Sequence, residues 1–171
     1  MANEKKSNIK NLTLGEMKKQ VKKLEARTDH EVKVGEDVYK VSIDNVFIKT
    51  KQYALLDDMV HFLKESSDNP DILDYATPYT TLLMVKHFTS IEVSDNIDEA
   101  IELLNILIDL DLLNQVLNLL PEDEIVKMYE ILSSTTKRMT ESVEKSVADA
   151  EKKALEEAMA EAEKELNDDA E

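Results

Sequence analysis

The sequence predicts a mainly α-helical protein: a compact multi-helix bundle with a small N-terminal β-hairpin and a long protruding C-terminal helix. Three observations support this prediction. Apolar residues recur at steps of three and four along most of the chain, which is the helical period. Clear alternation of apolar and polar residues is confined to residues 31–44. Only two glycines and three prolines occur, too few for the frequent turns of a sandwich or a barrel.

The bundle is expected to be organised around residues 96–120, which are apolar on more than one side. One set of apolar residues recurs at helical steps: Ile97, Ile101, Leu104 and Ile108. A second set lies beside it: Leu103, Ile106, Leu110, Leu113, Leu117 and Leu120. Two apolar stripes predict a core helix with neighbours on both sides. Asp109 and Asp111 are expected to divide this segment into two helices, with Asp111 as the N-cap of the second.

Residues 1–12 are predicted to be a disordered polar start, and residues 13–30 an amphipathic helix. Thr13 and Glu16 have the spacing of a capping box, which favours a helix start at this point. A narrow apolar stripe follows at steps of three, four and three: Leu14, Met17, Val21 and Leu24. Such a stripe is stable only if it docks, either on its own domain or on a partner copy.

Residues 31–44 are predicted to form a β-hairpin at the start of a helical domain that covers residues 31–140. Val32 and Val34 alternate with charged residues, and Gly35 can supply the turn. The returning strand is rich in β-branched and aromatic residues: Val38, Tyr39, Val41 and Ile43. Because a lone hairpin is marginal in water, this one must lie against helices or pair with another strand through its exposed edge.

Two proline-containing pairs are expected to start short helices between the hairpin and the central segment. In Asn69-Pro70 and in Thr77-Pro78, a residue with a capping side chain precedes a proline, which suits the first turn of a helix. Asn96 and Glu99 form a further capping pair at the start of the central segment. The region between residues 50 and 120 is therefore predicted to be a series of helices.

A last helix is predicted from Glu122, and residues 141–171 are predicted to be its acidic, Ala/Glu-rich helical tail. Along this helix the apolar stripe thins from large side chains to alanines. The tail is expected either to be a solvated, partly frayed helix or to bind a partner. Together with the four apolar residues of the N-terminal stripe, the candidate partner-binding residues are therefore Met128, Leu132, Met139 and Val143.

The charge of the chain is large and unevenly distributed. The formal net charge is −16, with about +4 on residues 1–52 and about −20 on the remainder. An acidic body disfavours nucleic acid as a partner, and no segment is apolar enough to predict a membrane span. The opposite charges also predict attraction between copies or within one copy, which leaves a homo-oligomer open. We expect a cytoplasmic protein.

The residues of common catalytic and metal sites are missing or wrongly spaced. Without cysteine, disulfides, thiolate zinc sites and cysteine nucleophiles are excluded. The paired acids lack the pattern of a calcium loop, and no glycine-rich phosphate loop occurs. His30, His61 and His87 are far apart in the sequence, so structural roles are expected, although folding can bring His61 and His87 together. The sequence therefore predicts a protein that is not an enzyme and uses no cofactor or metal.

Residues 31–132 resemble the small tail assembly chaperones of long-tailed bacteriophages that infect Gram-positive hosts. The resemblance rests on the hairpin stretch GEDVYKVSIDNVFIKT leading into a helix, on the Asn-Pro and Thr-Pro helix starts, and on the acidic helical end. It implies a chaperone in the host cytoplasm. This chaperone would hold the apolar, helical tape measure protein in solution until tail tube subunits replace it.

Two other classes of protein are compatible with this sequence. One is a structural virion component, such as a head–tail joining or tail-terminator protein. The other is a small acidic regulator that binds and inhibits a host protein. All three classes act through protein contact, so the sequence predicts protein binding and leaves the partner open.

Overall fold

The computed structural model describes residues 11–138, 140–142, 145 and 152. Its secondary structure confirms a mainly α-helical chain with a small N-terminal hairpin. In order, the elements are α1 (Leu14–Leu24), β1 (Arg27–Val34), β2 (Asp37–Asp44), α2 (Lys49–Asp68), a 3₁₀ helix (Pro70–Tyr75), α3 (Ala76–Phe88), α4 (Ile97–Asp109), α5 (Leu112–Leu117) and α6 (122–138). The chain forms two compact units, Met1–Val126 and Lys127–Glu171. The predicted tail over 141–171 lies mostly outside the described residues.

The hairpin begins earlier than predicted, so the N-terminal helix is shorter. Helix α1 ends at Leu24 instead of residue 30, and β1 begins at Arg27. The strand pairing extends to Arg27 opposite Asp44. There the buried Asp44 carboxylate accepts a hydrogen bond from Arg27 Nε at 2.6 Å and another from Lys51 Nζ. The sequence reading missed this extension because residues 27–30 carry no apolar alternation.

The two strands are joined by a two-residue turn at Gly35 and Glu36. Gly35 has a φ of 61°, as the first central residue of a type II′ hairpin turn requires. Helical and loop residues cover both outer edges in part. On β1, the Gln115 side-chain amide bonds to the backbone N–H and C=O of Lys33, both at 3.2 Å. On β2, the Ser90 N–H donates to the carbonyl of Ser42 at 2.9 Å. The hairpin therefore lies against helices, as its marginal stability requires.

Helix α3 is the centre of the core of the first unit. Packing against α2, α4 and α5 covers it on several sides. Its fully buried side chains are Leu82, Leu83, Met84, Val85 and Phe88. Two stacked aromatic pairs extend this core, Phe47 on Phe88 with ring centroids 3.6 Å apart and Phe62 on Tyr79 at 4.3 Å. The core is thus organised around residues 76–88, and the expectation that residues 96–120 would be its centre is wrong.

Helix α4 buries one face instead of two. The buried side chains are Ala100, Leu104 and Leu107. Three residues that the sequence placed in the two apolar stripes are between 45% and 47% exposed: Ile106, Ile108 and Leu110. Among the elements between Leu14 and Leu117, its main packing partners are α3 and α5, and its buried residues lie on a single side of the helix. Apolar periodicity alone did not distinguish a helix that buries one side from a helix that buries two.

The predicted helix starts are confirmed where the cap is local. The Thr13 hydroxyl accepts from the Glu16 N–H at 3.3 Å, and the Asn96 side chain accepts from the Glu99 N–H at 3.1 Å. Asp111 occupies the N-cap position of α5 with a φ of 54°, but its carboxylate accepts from the Asn114 side chain instead of the backbone. Asn69 precedes the 3₁₀ helix without a side-chain cap. Helix α3 begins at Ala76, so Thr77-Pro78 lies in its first turn.

Candidate functional site

The predicted apolar stripe of α1 is exposed along its full length. The exposed fractions of Leu14, Met17, Val21 and Leu24 range from 42% to 64%, and no residue of α1 is buried. Among the elements between Leu14 and Leu117, none of the main packing contacts involves α1. The sequence left two surfaces on which this stripe could dock, its own domain and a partner copy. In the structure, its own domain leaves each of the four side chains at least 42% exposed. Four large apolar side chains at helical spacing are therefore available to another molecule.

The rest of α1 is strongly basic. Its one carboxylate, Glu16, is bound to Lys19 at 2.9 Å, and the remaining lysines are Lys18, Lys22 and Lys23. Within the described part of the chain, neither Lys18 nor Lys22 forms an ion pair. Lys18 lies four residues after Leu14 and three before Val21, so it borders the apolar stripe. The surface of α1 is thus an apolar seam beside unpaired positive charge.

The partner-binding residues predicted on the last helix are placed differently. Met128 is fully buried and Leu132 is 7% exposed, so neither side chain lies at the surface of the folded chain. Met128 and Leu132 are four residues apart, so they lie on one side of the helix. This spacing is the same for a side that faces the core and for a side that binds a partner, so the sequence alone did not distinguish the two. Met139 and Val143 lie outside the described residues. The next residue along the helix, Tyr129, is exposed.

A second exposed apolar seam lies where the sequence predicted a core-facing stripe. It lies on α4 at the spacing Leu103, Ile106 and Leu110, of which the last two are almost half exposed. The available signal was the pair of acids beside Ile106, namely Glu102 four residues before it and Asp109 three residues after it. Charged residues at these positions are typical of a solvent-facing side of a helix.

Folding also assembles a polar cluster that the sequence did not indicate. It consists of Asp58 on α2, Lys86 and His87 at the end of α3, and Asp95 in the following loop. Lys86 Nζ lies 2.7 Å from Asp58 Oδ2 and 2.6 Å from Asp95 Oδ1, while His87 Nε2 lies 2.9 Å from Asp58 Oδ2. His61 borders a cleft of about 310 Å³ that Asp58 and Lys86 also line. His61 and His87 thus both lie near Asp58, an arrangement that the sequence left open.

The electrostatics of this cluster indicate charge pairing. Burial by itself would raise the pKa of the Asp58 carboxyl, but hydrogen bonds from His87 and Lys86 outweigh it and lower that pKa below its usual value near 3.8. Burial would lower the pKa of Lys86, yet its bonds to Asp58 and Asp95 raise it. The lysine ammonium lies between the two carboxylates, where a bound cation would otherwise neutralise them. The cluster therefore clamps α2 to the end of α3.

This clamp predicts an acid-dependent loss of stability. Because the folded-state pKa of Asp58 is below its unfolded value, the carboxylate stabilises the fold above about pH 4, and this contribution is lost as the pH falls through the folded pKa. At neutral pH, Asp58→Asn should lower the free energy of unfolding by about 1–2 kcal/mol, allowing for solvent screening at a half-buried site. Urea unfolding at neutral pH and near pH 3 should show this difference shrinking in acid.

Asp57→Asn is the matched control, since Asp57 is an exposed neighbour on the same helix. It should leave stability almost unchanged at either pH. A difference between wild type and Asp58→Asn that grows as the pH falls would contradict the assigned sign.

The comparisons with known proteins agree with a phage origin. The model of the YomO family matches residues 14–168, which is most of the chain. No curated protein and no solved structure was found to match it. Within the part of the chain that the structure describes, no helix is long and apolar enough to cross a membrane. In the same residues, no three His, Asp or Glu side chains are grouped so as to hold a metal ion. The chain belongs to the YomO family, which is phage-associated.

Proposed function

We propose that this protein is a non-enzymatic tail assembly chaperone, which keeps the apolar helical tape measure protein soluble in the host cytoplasm during tail assembly. The observation that carries the proposal is the uncovered apolar stripe of α1, Leu14–Leu24. A monomeric domain rarely leaves a regular apolar helix face in water unless that face has a binding role. The family's phage association and the resemblance to tail chaperones favour this class of partner.

The proposed mechanism is helix-on-helix packing. An amphipathic segment of the partner would lay its apolar side on the α1 stripe, with anchors at steps of three and four on both helices. Four half-exposed side chains support only a modest affinity for each copy. Modest affinity suits a chaperone, because tail tube subunits have to replace it. The acidic remainder of the chain would keep the complex soluble through its net charge.

The test of this proposal places a charge in the stripe. Val21→Glu should reduce affinity for apolar helical fragments of the tape measure protein by at least about tenfold, because a carboxylate cannot be desolvated in an apolar contact without a large cost. Fold should be retained, since Val21 is 45% exposed. The measurement is the yield of soluble fragment on co-expression, followed by size-exclusion chromatography of the complex.

Lys23→Gln is the matched control. It makes the same change in net charge on the same helix, but Lys23 lies away from the stripe, where its ammonium bonds to the Gln20 side chain at 3.2 Å. It should retain the full solubilising effect. Absence of any complex with the wild-type chain would contradict the proposal. Recovery of the protein from purified phage particles at a symmetric stoichiometry would also contradict it and would favour a structural virion component.

A further inference from the structure

The exposed seam of α4 lies in a wholly acidic part of the chain. Residues 87–126 contain ten Asp and Glu and no Lys or Arg. On α4, Glu102 and Asp109 border Ile106 at helical spacing. Neither carboxylate forms an ion pair or hydrogen bond with any described residue. The α4 seam, which we define as Leu103, Ile106 and Leu110, is thus an apolar surface beside unpaired negative charge.

The α1 stripe has the complementary character. Its spacing of three, four and three matches the three-and-four spacing of the α4 seam, so both present a row of side chains along one helix face. Beside the α1 stripe lie Lys18 and Lys22, and beside the α4 seam lie Glu102 and Asp109, none of which forms an ion pair with another residue that the structure describes. Apolar rows would pack together, and the flanking charges would pair across the contact.

Within one copy, the two surfaces are connected to different ends of the hairpin. Helix α1 joins the base of the hairpin, where the Asn45 N–H donates to the Ala26 carbonyl at 3.0 Å and Arg27 bonds to Asp44. Helix α5, which directly follows α4, is bonded instead to Lys33 near the hairpin tip. Six residues of strand separate these two points, a distance of about 20 Å. In the folded chain the α1 stripe is exposed, as are Ile106 and Leu110 of the α4 seam.

We propose that the α1 stripe of one copy packs on the α4 seam of a second copy, with Lys18 facing Glu102 and Asp109. The contact joins two different surfaces, so it can close as a reciprocal dimer or as a ring. This self-association goes beyond the proposed function, and its test requires no foreign partner. Because it uses the α1 stripe, a tape measure segment and a second copy would compete for the same side chains.

Mixing two variants tests the contact. Val21→Glu damages the α1 stripe and Ile106→Glu damages the α4 seam, and both residues are exposed enough for the fold to be retained. Each variant alone should associate at least about tenfold more weakly than wild type, as measured by sedimentation velocity on the full chain. An equimolar mixture should form a heterodimer, because Ile106→Glu retains an intact stripe and Val21→Glu retains an intact seam.

Matched control variants show whether the position of the added charge matters, or only its sign. Asn105→Glu adds the same charge as Ile106→Glu at an exposed neighbouring position on α4 that does not lie on the seam, and Lys23→Gln serves the same purpose on α1. Both should associate like wild type. A wild-type chain that stays monomeric at high micromolar concentration would overturn the proposal. A mixture that stays monomeric would overturn it too, as would a dimer lost in Val21→Glu but unchanged in Ile106→Glu.

Charge reversal gives a second readout. Lys18→Glu and Glu102→Lys should each weaken self-association by about threefold to tenfold, and the double variant should recover most of the loss. If self-association of the double variant stayed as weak as that of the single variants, Lys18 of one copy would not lie opposite Glu102 of the other. Ile106→Glu also separates the two proposals, since it should lose self-association while retaining binding to tape measure fragments through an intact α1.

Discussion

Replacing Phe88 with alanine should lower the free energy of unfolding by about 3–5 kcal/mol, a large part of the stability of a domain of this size. Phe88 is completely buried, stacks on Phe47 with an interplanar angle of 2°, and lies at the end of the central helix α3. Its removal would lose the transfer free energy of the ring and leave a cavity that rigid neighbours do not fill. Urea unfolding followed by circular dichroism measures the change.

Tyr53→Ala is the matched control, because Tyr53 is an aromatic residue on α2 that is 61% exposed. Its removal should change the free energy of unfolding by about 0.5 kcal/mol or less. If Phe88→Ala were no more destabilising than Tyr53→Ala, α3 would not be the centre of the core.

The second large effect is expected at Asp44. Asp44→Asn should lower the free energy of unfolding by about 2–4 kcal/mol, less than a fully buried ion pair would lose, because Arg27 and Lys51 are partly exposed and can be rehydrated. The buried carboxylate holds the base of the hairpin to the start of α2, and an amide supplies neither its charge nor its two acceptor oxygens. Urea unfolding gives the stability change.

Asp29→Asn is the comparison for this prediction. Asp29 bonds to Lys40 at 3.1 Å and to Ser42 at 2.6 Å on the exposed face of the same hairpin. Solvent screens this exposed pair, so its loss should be far less destabilising than that of Asp44. Similar losses for the two variants would show that burial of the Asp44 carboxylate does not determine its contribution.

The features that could be predicted from sequence are those produced by neighbouring residues. The capping pairs Thr13–Glu16 and Asn96–Glu99 were expected and are present, because both partners lie within one helical turn. The same holds for the Gly35 turn, where a positive φ favours glycine. Helix content and the existence of the hairpin follow from the period of the apolar residues, which a short stretch of chain determines.

The features that could not be predicted depend on contacts between distant elements. The hairpin begins at Arg27, opposite a buried Asp44 that bonds to both Arg27 and Lys51, and the residue types at 27–30 do not predict these bonds. The clamp joins Asp58 to Lys86 and His87 across 28 and 29 residues, with no spacing rule to reveal it. The Gln115 bonds to Lys33 span 82 residues. Each of these contacts forms only when elements that are distant in the sequence pack together.

The candidate binding surface shows this division most clearly. The sequence alone determined which helix faces are apolar, since side chains three and four apart must lie on one side of a helix. It did not determine what covers each face. Val21 on α1 and Met128 on α6 lie on apolar stripes of the same period, yet the first is 45% exposed and the second is fully buried. Only the tertiary structure decided between them, because burial depends on which elements pack beside a helix and periodicity carries no information about its neighbours.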